Sequence, residues 1–280
     1  MRLKSVRLVN FRGYRSAVTV PIDPAMTGIV GRNDHGKSTI LEALAIFFES
    51  EGAKADKSDM NCFSLRDGVD QFEIACIFDD LPPSLVLDEN AETSLANEFL
   101  LNAEGLLEIV KTFKASTGKL ERTSIRCQHP ADKVLSTLLS LKMAELKKLG
   151  EERGIADAVV DKRVASLWRQ ALRAAAAPIE CKDYLLDVEK GLSADTKSIW
   201  GRIQDRLPTF ALFKADRESN DGDMEAKNPL QQAVKDAQAA LQGQISKLEE
   251  QIEASVLDVA SRTLDKLREM APELASELTP

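Results

Sequence analysis

The chain has 280 residues, 44% of them apolar and 29% charged, with a formal net charge of −8. That balance is ordinary for a soluble protein, no run of 18 or more apolar residues offers a membrane span, and the acidic total excludes a chain that is basic throughout and wraps nucleic acid. Four scattered cysteines, Cys62, Cys76, Cys127 and Cys181, lack C-x-x-C spacing, which argues against a zinc site and suits a reducing cytosol.

The N-terminus enters a strand pattern directly, with no signal-peptide h-region. Leu3, Val6, Leu8 and Val9 predict a first strand, half solvated through Ser5 and Arg7. Asn10-Phe11-Arg12-Gly13-Tyr14 breaks it with a glycine turn, and Ala17 to Ile22 predicts a second strand, ended by Pro24. Arg2, Lys4, Arg7, Arg12 and Arg15 all precede the first acid, Asp23. Two readings of this patch are open: a surface facing phosphates, or the solvated face of an edge strand, where positive charge blocks edge pairing.

Thr27 to Val30 predicts a third strand, and Ser38 to about Glu51 predicts a helix. Between them stands Gly31-Arg32-Asn33-Asp34-His35-Gly36-Lys37-Ser38-Thr39, a full match to G-x-x-x-x-G-K-[ST] in the strand–loop–helix context that the motif requires. Gly31 and Gly36 let the backbone curl so that successive N–H groups face one anion. The helix N-terminus adds partial positive charge. A lysine at position 37 reaches β- and γ-phosphates, and a hydroxyl at position 38 ligates Mg²⁺.

Residues 52–70 are polar and irregular. Gln71 to Asp80 predicts a strong strand whose two terminal aspartates, Asp79 and Asp80, are candidates for a Mg²⁺-organising acid; Leu85-Val86-Leu87-Asp88-Glu89 is a second such run. An antiparallel meander is expected next: Phe99 to Leu101, a turn over 102–105, a strand from Leu106 to Phe113, a turn over 115–118, and a return strand from Leu120 to Cys127 ended by His129-Pro130. Residues 131–205 have helical texture, punctuated by Gly150 and Gly154, with short helices expected at Tyr184 to Val188 and Ile199 to Leu207. Leu207 to Arg217 predicts a buried strand. An acidic loop over 218–228 matches no Ca²⁺-loop spacing. Asn228 and Pro229 then cap a helix with apolar residues at threes and fours from Leu230 to Met270. It is about 60 Å long at about 1.5 Å per residue, either the start of a coiled-coil arm or a packed helix.

The order of these pieces resembles the N-terminal half of an ABC-type ATPase head of the SMC/RecF/OLD group. It rests on the opening strand, Asn10-Phe11-Arg12-Gly13-Tyr14, the phosphate loop Gly31 to Ser38, the leucine-rich helix behind it and the meander. The strand Phe210-Ala211-Leu212-Phe213-Lys214-Ala215-Asp216-Arg217 looks most like OLD-related ATPases, many of which serve in anti-phage defence. The resemblance implies an α/β P-loop NTPase lobe with an antiparallel β flank over residues 1–130, a helical insert over 131–206, a return strand and loop over 207–228, and a long helix over 229–280. It implies ATP and Mg²⁺ as ligands, with Arg12 near the nucleotide, Gly31, Asn33, Asp34, His35, Gly36, Lys37, Ser38 and Thr39 around the phosphates, and Ser38 with Gln71 on the metal. For Gln71 the metal role is the secondary reading, and a plain strand-edge residue is the first.

Heads of that group need a second half with a Ser-Gly-Gly-type signature, a catalytic glutamate and a switch histidine. No Ser-Gly-Gly occurs here, and the two histidines are His35, inside the loop, and His129, before a proline. The expectation is a fragment or ordered part of a longer protein that binds ATP and completes hydrolysis only with a second half or second head. The catalytic residue is then unknown. A nuclease or other effector, and DNA itself, are the implied partners; no membrane is. Two other functions remain open: a self-contained P-loop phosphotransferase using Asp79 or Asp80, and a helical scaffold. No Asn-Lys-x-Asp motif marks guanine, so the preference for ATP over GTP rests on the resemblance alone.

Overall fold

A computed structural model describes residues 1–33, 35–88, 91–193 and 196–213, with only the backbone described at residues 51, 86–88 and 91. In chain order, β1 (Arg2–Val9) and β2 (Val18–Pro21) form a hairpin, followed by α1 (Lys37–Phe48) and the short α2 (Cys62–Arg66). Next come β3 (Gln71–Asp79), a small hairpin of β4 (Leu85–Asp88) and β5 (Ala91–Thr93), then β6 (Leu107–Lys114) and β7 (Leu120–Pro130). Two helices, α3 (Met143–Glu152) and α4 (Ala165–Ala175), precede β8 (Cys181–Asp187) and α5 (Lys197–Gln204). These elements all belong to one unit, Met1–Leu212; a second unit begins at Phe213 and lies outside the described residues from 214 onward.

The main sheet has six strands in the order β2-β1-β3-β6-β7-β8, each antiparallel to its neighbours. The edge strands are therefore β2 and β8, with β1 one place inside β2. The expected strand at Thr27 to Val30 joins no ladder among the described residues, and Val30 is 92% exposed. A strand exists only through its neighbours, and this segment pairs with none of the described strands. The antiparallel flank foreseen beside a parallel core is thus the whole described sheet.

Four further expectations differ. Tyr184 to Val188, expected to be helical, lies mostly in β8, because β7 runs on to Pro130 and pairs Cys127 with Tyr184 and Pro130 with Cys181. Five residues of helical texture are outweighed by a ready-made edge. Phe99 to Leu101 forms a turn rather than a strand, with Phe99 at φ 57° and Leu100 fully buried. Gly150 does not end a helix; it lies inside α3, where a Cβ would sit 2.6 Å from Trp168 Cε3, so it makes room for the indole. Residues 207–213 join no strand, although Phe210 stacks on Phe48 at 5.6 Å. The remainder of that run, the acidic loop and the long helix lie outside the described residues.

One face of the sheet carries α1. Ile40, Ala43, Leu44 and Phe47 recur at threes and fours and are buried against Phe72, Ile74, Cys76 and Phe78, which alternate along β3. Each large apolar side chain buried there stabilises by about 1.5–3 kcal/mol. Phe72 stacks on Phe113 of β6 at 5.1 Å. The insert between β7 and β8 has its own small core around Leu146, Trp168 and Leu172. Its two ends meet: Ala131 N–H donates to Glu180 O at 2.8 Å. On α4 a second i, i+4 pair, Arg169 and Arg173, turns instead to the buried carboxylate of Glu98, at 2.6 and 2.8 Å.

Candidate nucleotide-binding site

The site is built where the β1–β2 turn meets the start of α1. Gly36 caps the helix with φ 81°, a left-handed conformation that glycine adopts freely. No side chain caps α1 and no acid occupies its first turn, so its leading N–H groups and its dipole are left to a ligand. Tyr14 steadies this corner: its hydroxyl donates to Gly36 O at 3.1 Å, and a Cβ on residue 36 would lie 3.2 Å from the Tyr14 hydroxyl oxygen. The Lys37 ammonium folds back over the loop, donating to Gly31 O at 2.8 Å and Arg32 O at 2.6 Å.

A cavity of about 530 Å³ opens here. Its walls come from Arg12, Gly13 and Tyr14 on the turn, His35 and Gly36 on the loop, and Lys37, Ser38, Thr39 and Glu42 on α1. Six of the residues expected around a nucleotide (Arg12, His35, Gly36, Lys37, Ser38 and Thr39) are thereby brought together. Gly31 and Asn33 are exposed and do not line it, and Asp34 lies outside the described residues. Sequence reasoning missed Tyr14 and Glu42; the spacing of Glu42, four residues after Ser38 on one helix face, was the available signal.

Arg12 is held from both sides. It takes a left-handed backbone conformation, φ 47°. Its Nε donates to Asp59 at 2.7 Å and its Nη1 to Glu42. Burial works against the guanidinium charge, but the hydrogen bonds to Asp59 and Glu42 outweigh it and the pKa is raised. The N-terminal cations as a group are not a free basic face: Arg2 pairs with Asp79, Arg7 with Glu108, and Arg15 with Asp67. Of that patch, Arg12 lines the cavity, while Arg2, Arg7 and Arg15 are taken up in ion pairs on or beside a strand that is not an edge.

The other metal candidates lie elsewhere. The Gln71 amide donates to Glu121 at 2.7 Å and does not line the cavity. Asp79 sits opposite Arg2, at the other end of β1 from the Asn10–Tyr14 turn, and eight residues of strand separate those ends by roughly 23 Å. Asp88 belongs to the separate β4–β5 hairpin. Among the described residues no cluster of three His, Cys, Asp or Glu side chains could hold a metal alone. The donor set fits Mg²⁺ in its phosphate-bound form. That ion keeps waters and takes one or two protein groups beside the phosphates, and the Ser38 hydroxyl is exposed at the cavity wall.

Among the described residues no helix is long and apolar enough to cross a membrane. The chain is similar to chromosome partition protein Smc. The identity is 41% over 54 residues in Mycolicibacterium paratuberculosis and in Mycobacterium leprae, and 39% over 54 residues in Mycobacterium tuberculosis. Those stretches are 19% of this chain, and the chain spans 4% of the length of these relatives. A solved SMC ATPase structure, from work on ATP-driven dimerization and DNA-stimulated activation, aligns with 45% of this chain and 68% of its own at 17% identity and a TM-score of 0.29. The model of the AAA ATPase domain family matches residues 1–280, every residue of the chain, which therefore belongs to the AAA ATPase domain family.

Proposed function

We propose that the chain is the ATP-binding part of an SMC/RecF-like ABC-type ATPase, working as a switch that ATP closes onto a second head or second half. The observation that carries this reading is the phosphate loop running into an uncapped, acid-free helix start beside Arg12. Phosphates take the loop and α1 N–H groups and draw the Lys37 ammonium off Gly31 O and Arg32 O. Ser38 supplies the protein oxygen to Mg²⁺, which neutralises phosphate charge when bound. Met26 and Val30 are 84% and 92% exposed beside the loop, on a segment without a strand partner among the described residues. That supports completion by a further strand-bearing part.

In this reading ATP joins the two parts and hydrolysis releases them. The output is a DNA-linked event, in repair or in OLD-type anti-phage defence, carried by a nuclease or other effector. The self-contained phosphotransferase is disfavoured because its candidate acids, Asp79 and the adjacent Asp80, stand at the end of β3 where Asp79 pairs with Arg2, far from the Asn10–Tyr14 turn.

The test is calorimetric titration with a non-hydrolysable ATP analogue and Mg²⁺, with Lys37→Ala in parallel and phosphate release followed on the same samples. Binding that depends on Lys37, without steady turnover, is expected. Absence of Lys37-dependent binding refutes the nucleotide site, and robust turnover by this chain alone refutes the need for a second part.

A further inference from the structure

Among the described residues lining the cavity, Glu42 alone carries a negative charge. A carboxylate in a phosphate cradle opposes the ligand for which the cradle is shaped. Such a local conflict calls for a compensating role. The two acids on Arg12 are unlike. Asp59 is nearly closed off, its side chain 4% exposed, while that of Glu42 is 41% exposed. Asp59 is also fixed twice more: its Oδ2 accepts from Asp56 N–H at 2.8 Å, and its carbonyl accepts from Arg12 N–H at 2.6 Å. One edge of the guanidinium is thus anchored through Nε, and the other, through Nη1, meets an acid that can swing into solvent.

We propose that Glu42 is a placeholder for a nucleotide phosphate on Arg12, a positioning residue that holds the guanidinium until the phosphate arrives. In the empty site Glu42 occupies Nη1. An entering polyphosphate takes Nη1 while Nε stays on Asp59, and Glu42 is released to water. A ligand of low charge, such as inorganic phosphate, competes poorly with the carboxylate, so the exchange favours nucleoside polyphosphates. This rests on the proposed nucleotide site.

The test uses the full chain, in wild-type form and as Glu42→Gln and Glu42→Asp, the shorter acid guarding against a variant that fails to fold. Each is titrated with a non-hydrolysable ATP analogue and with inorganic phosphate, and the Arg12 side-chain nitrogens are followed by ¹⁵N NMR after assignment with Arg12→Lys. Partly exposed ion pairs carry up to about 1 kcal/mol, so Glu42→Gln is expected to bind the analogue up to about fivefold tighter. Its affinity for inorganic phosphate should rise by a smaller factor, because a ligand that leaves Glu42 in place gains less from its removal. The analogue should shift the Arg12 Nη signals of the wild type and leave Nε in place. Lys37-dependent binding with unmoved Nη signals, or with no gain in either variant, overturns the placeholder while leaving the nucleotide site standing. Absence of any Lys37-dependent binding overturns both.

Discussion

Replacing Glu98 with glutamine keeps the shape of the side chain and removes one charge from a site that cannot spare it. The carboxylate is 1% exposed. It accepts Nε and Nη2 of Arg169 at 2.9 and 2.6 Å, Nη1 of Arg173 at 2.8 Å and the Thr93 hydroxyl at 2.9 Å. Two buried guanidinium groups already share this single counter-charge, and Arg169 Nη1, Arg173 Nε and Arg173 Nη2 are buried without a partner among the described residues. Removing one member of a buried ion pair costs about 3–5 kcal/mol, because the remaining charge is left uncompensated. For a unit of this size that is about 2–4 °C per kcal/mol, a fall in Tm of about 10 °C. Urea unfolding of Glu98→Gln against wild type measures the loss directly. Burial favours the neutral acid, but Arg169 and Arg173 outweigh it and hold the carboxyl below its ordinary 4.5. A depressed folded pKa gives stability that is complete above the unfolded value and lost as pH falls through the folded one. The difference between wild type and variant should therefore be full at pH 7 and shrink on acidification below about pH 4.5. A loss under about 1 kcal/mol at pH 7, or a difference that does not change with acid, would refute this account.

Other consequences are as direct. Gly118 has φ +68°, and a Cβ there would lie 2.5 Å from Asp56 Cα, so Gly118→Ala should cost about 2–3 kcal/mol in chemical denaturation, from backbone strain and overpacking together. Asp79→Asn loses an exposed ion pair with Arg2 and should leave ATP-analogue affinity unchanged in calorimetry; lost binding would return Asp79 to the site. Of the four thiols, Cys62 and Cys181 are exposed, Cys76 is buried and its thiol pushed well up, and burial pushes Cys127 to about 12. A thiol reagent should therefore label two cysteines in the native protein and four in denaturant.

The phosphate loop was legible because its chemistry is local: glycine, lysine and hydroxyl stand within nine residues and need only a helix start behind them. The strands β1, β2, β3, β6 and β7 were legible because half-buried alternation writes itself into the sequence, as in Phe72, Ile74, Cys76 and Phe78. What escaped was non-local. Nothing in Tyr184 to Val188 announces that the tail of β7 waits beside it, so helix texture was read where an edge strand forms. The partners of Arg12 come from 30 and 47 positions away, and no periodicity links them. Glu98 gave no signal either, because its two arginines lie more than 70 residues on. The Asp79 candidate was misleading for the same reason: an apolar run ending in acids describes a strand end but not which end of the sheet it reaches.

The Ala131–Glu180 hydrogen bond joins the entry and exit of the insert at one rung of the sheet. For the β7–β8 pair, residues 132–179 are a detour that starts and finishes at the same place. The distance spanned is that of a tight hairpin turn, so the sheet sets no required length for what hangs there. Variation in size or sequence within that loop is buffered from the α1 corner by the width of the sheet, since β8 is the edge strand opposite β2. The fold thus separates a part held to strict geometry, around Gly36 and Lys37, from a part free to be exchanged, and the Glu98 cluster is the buried ion-pair tie that such an exchange would have to rebuild.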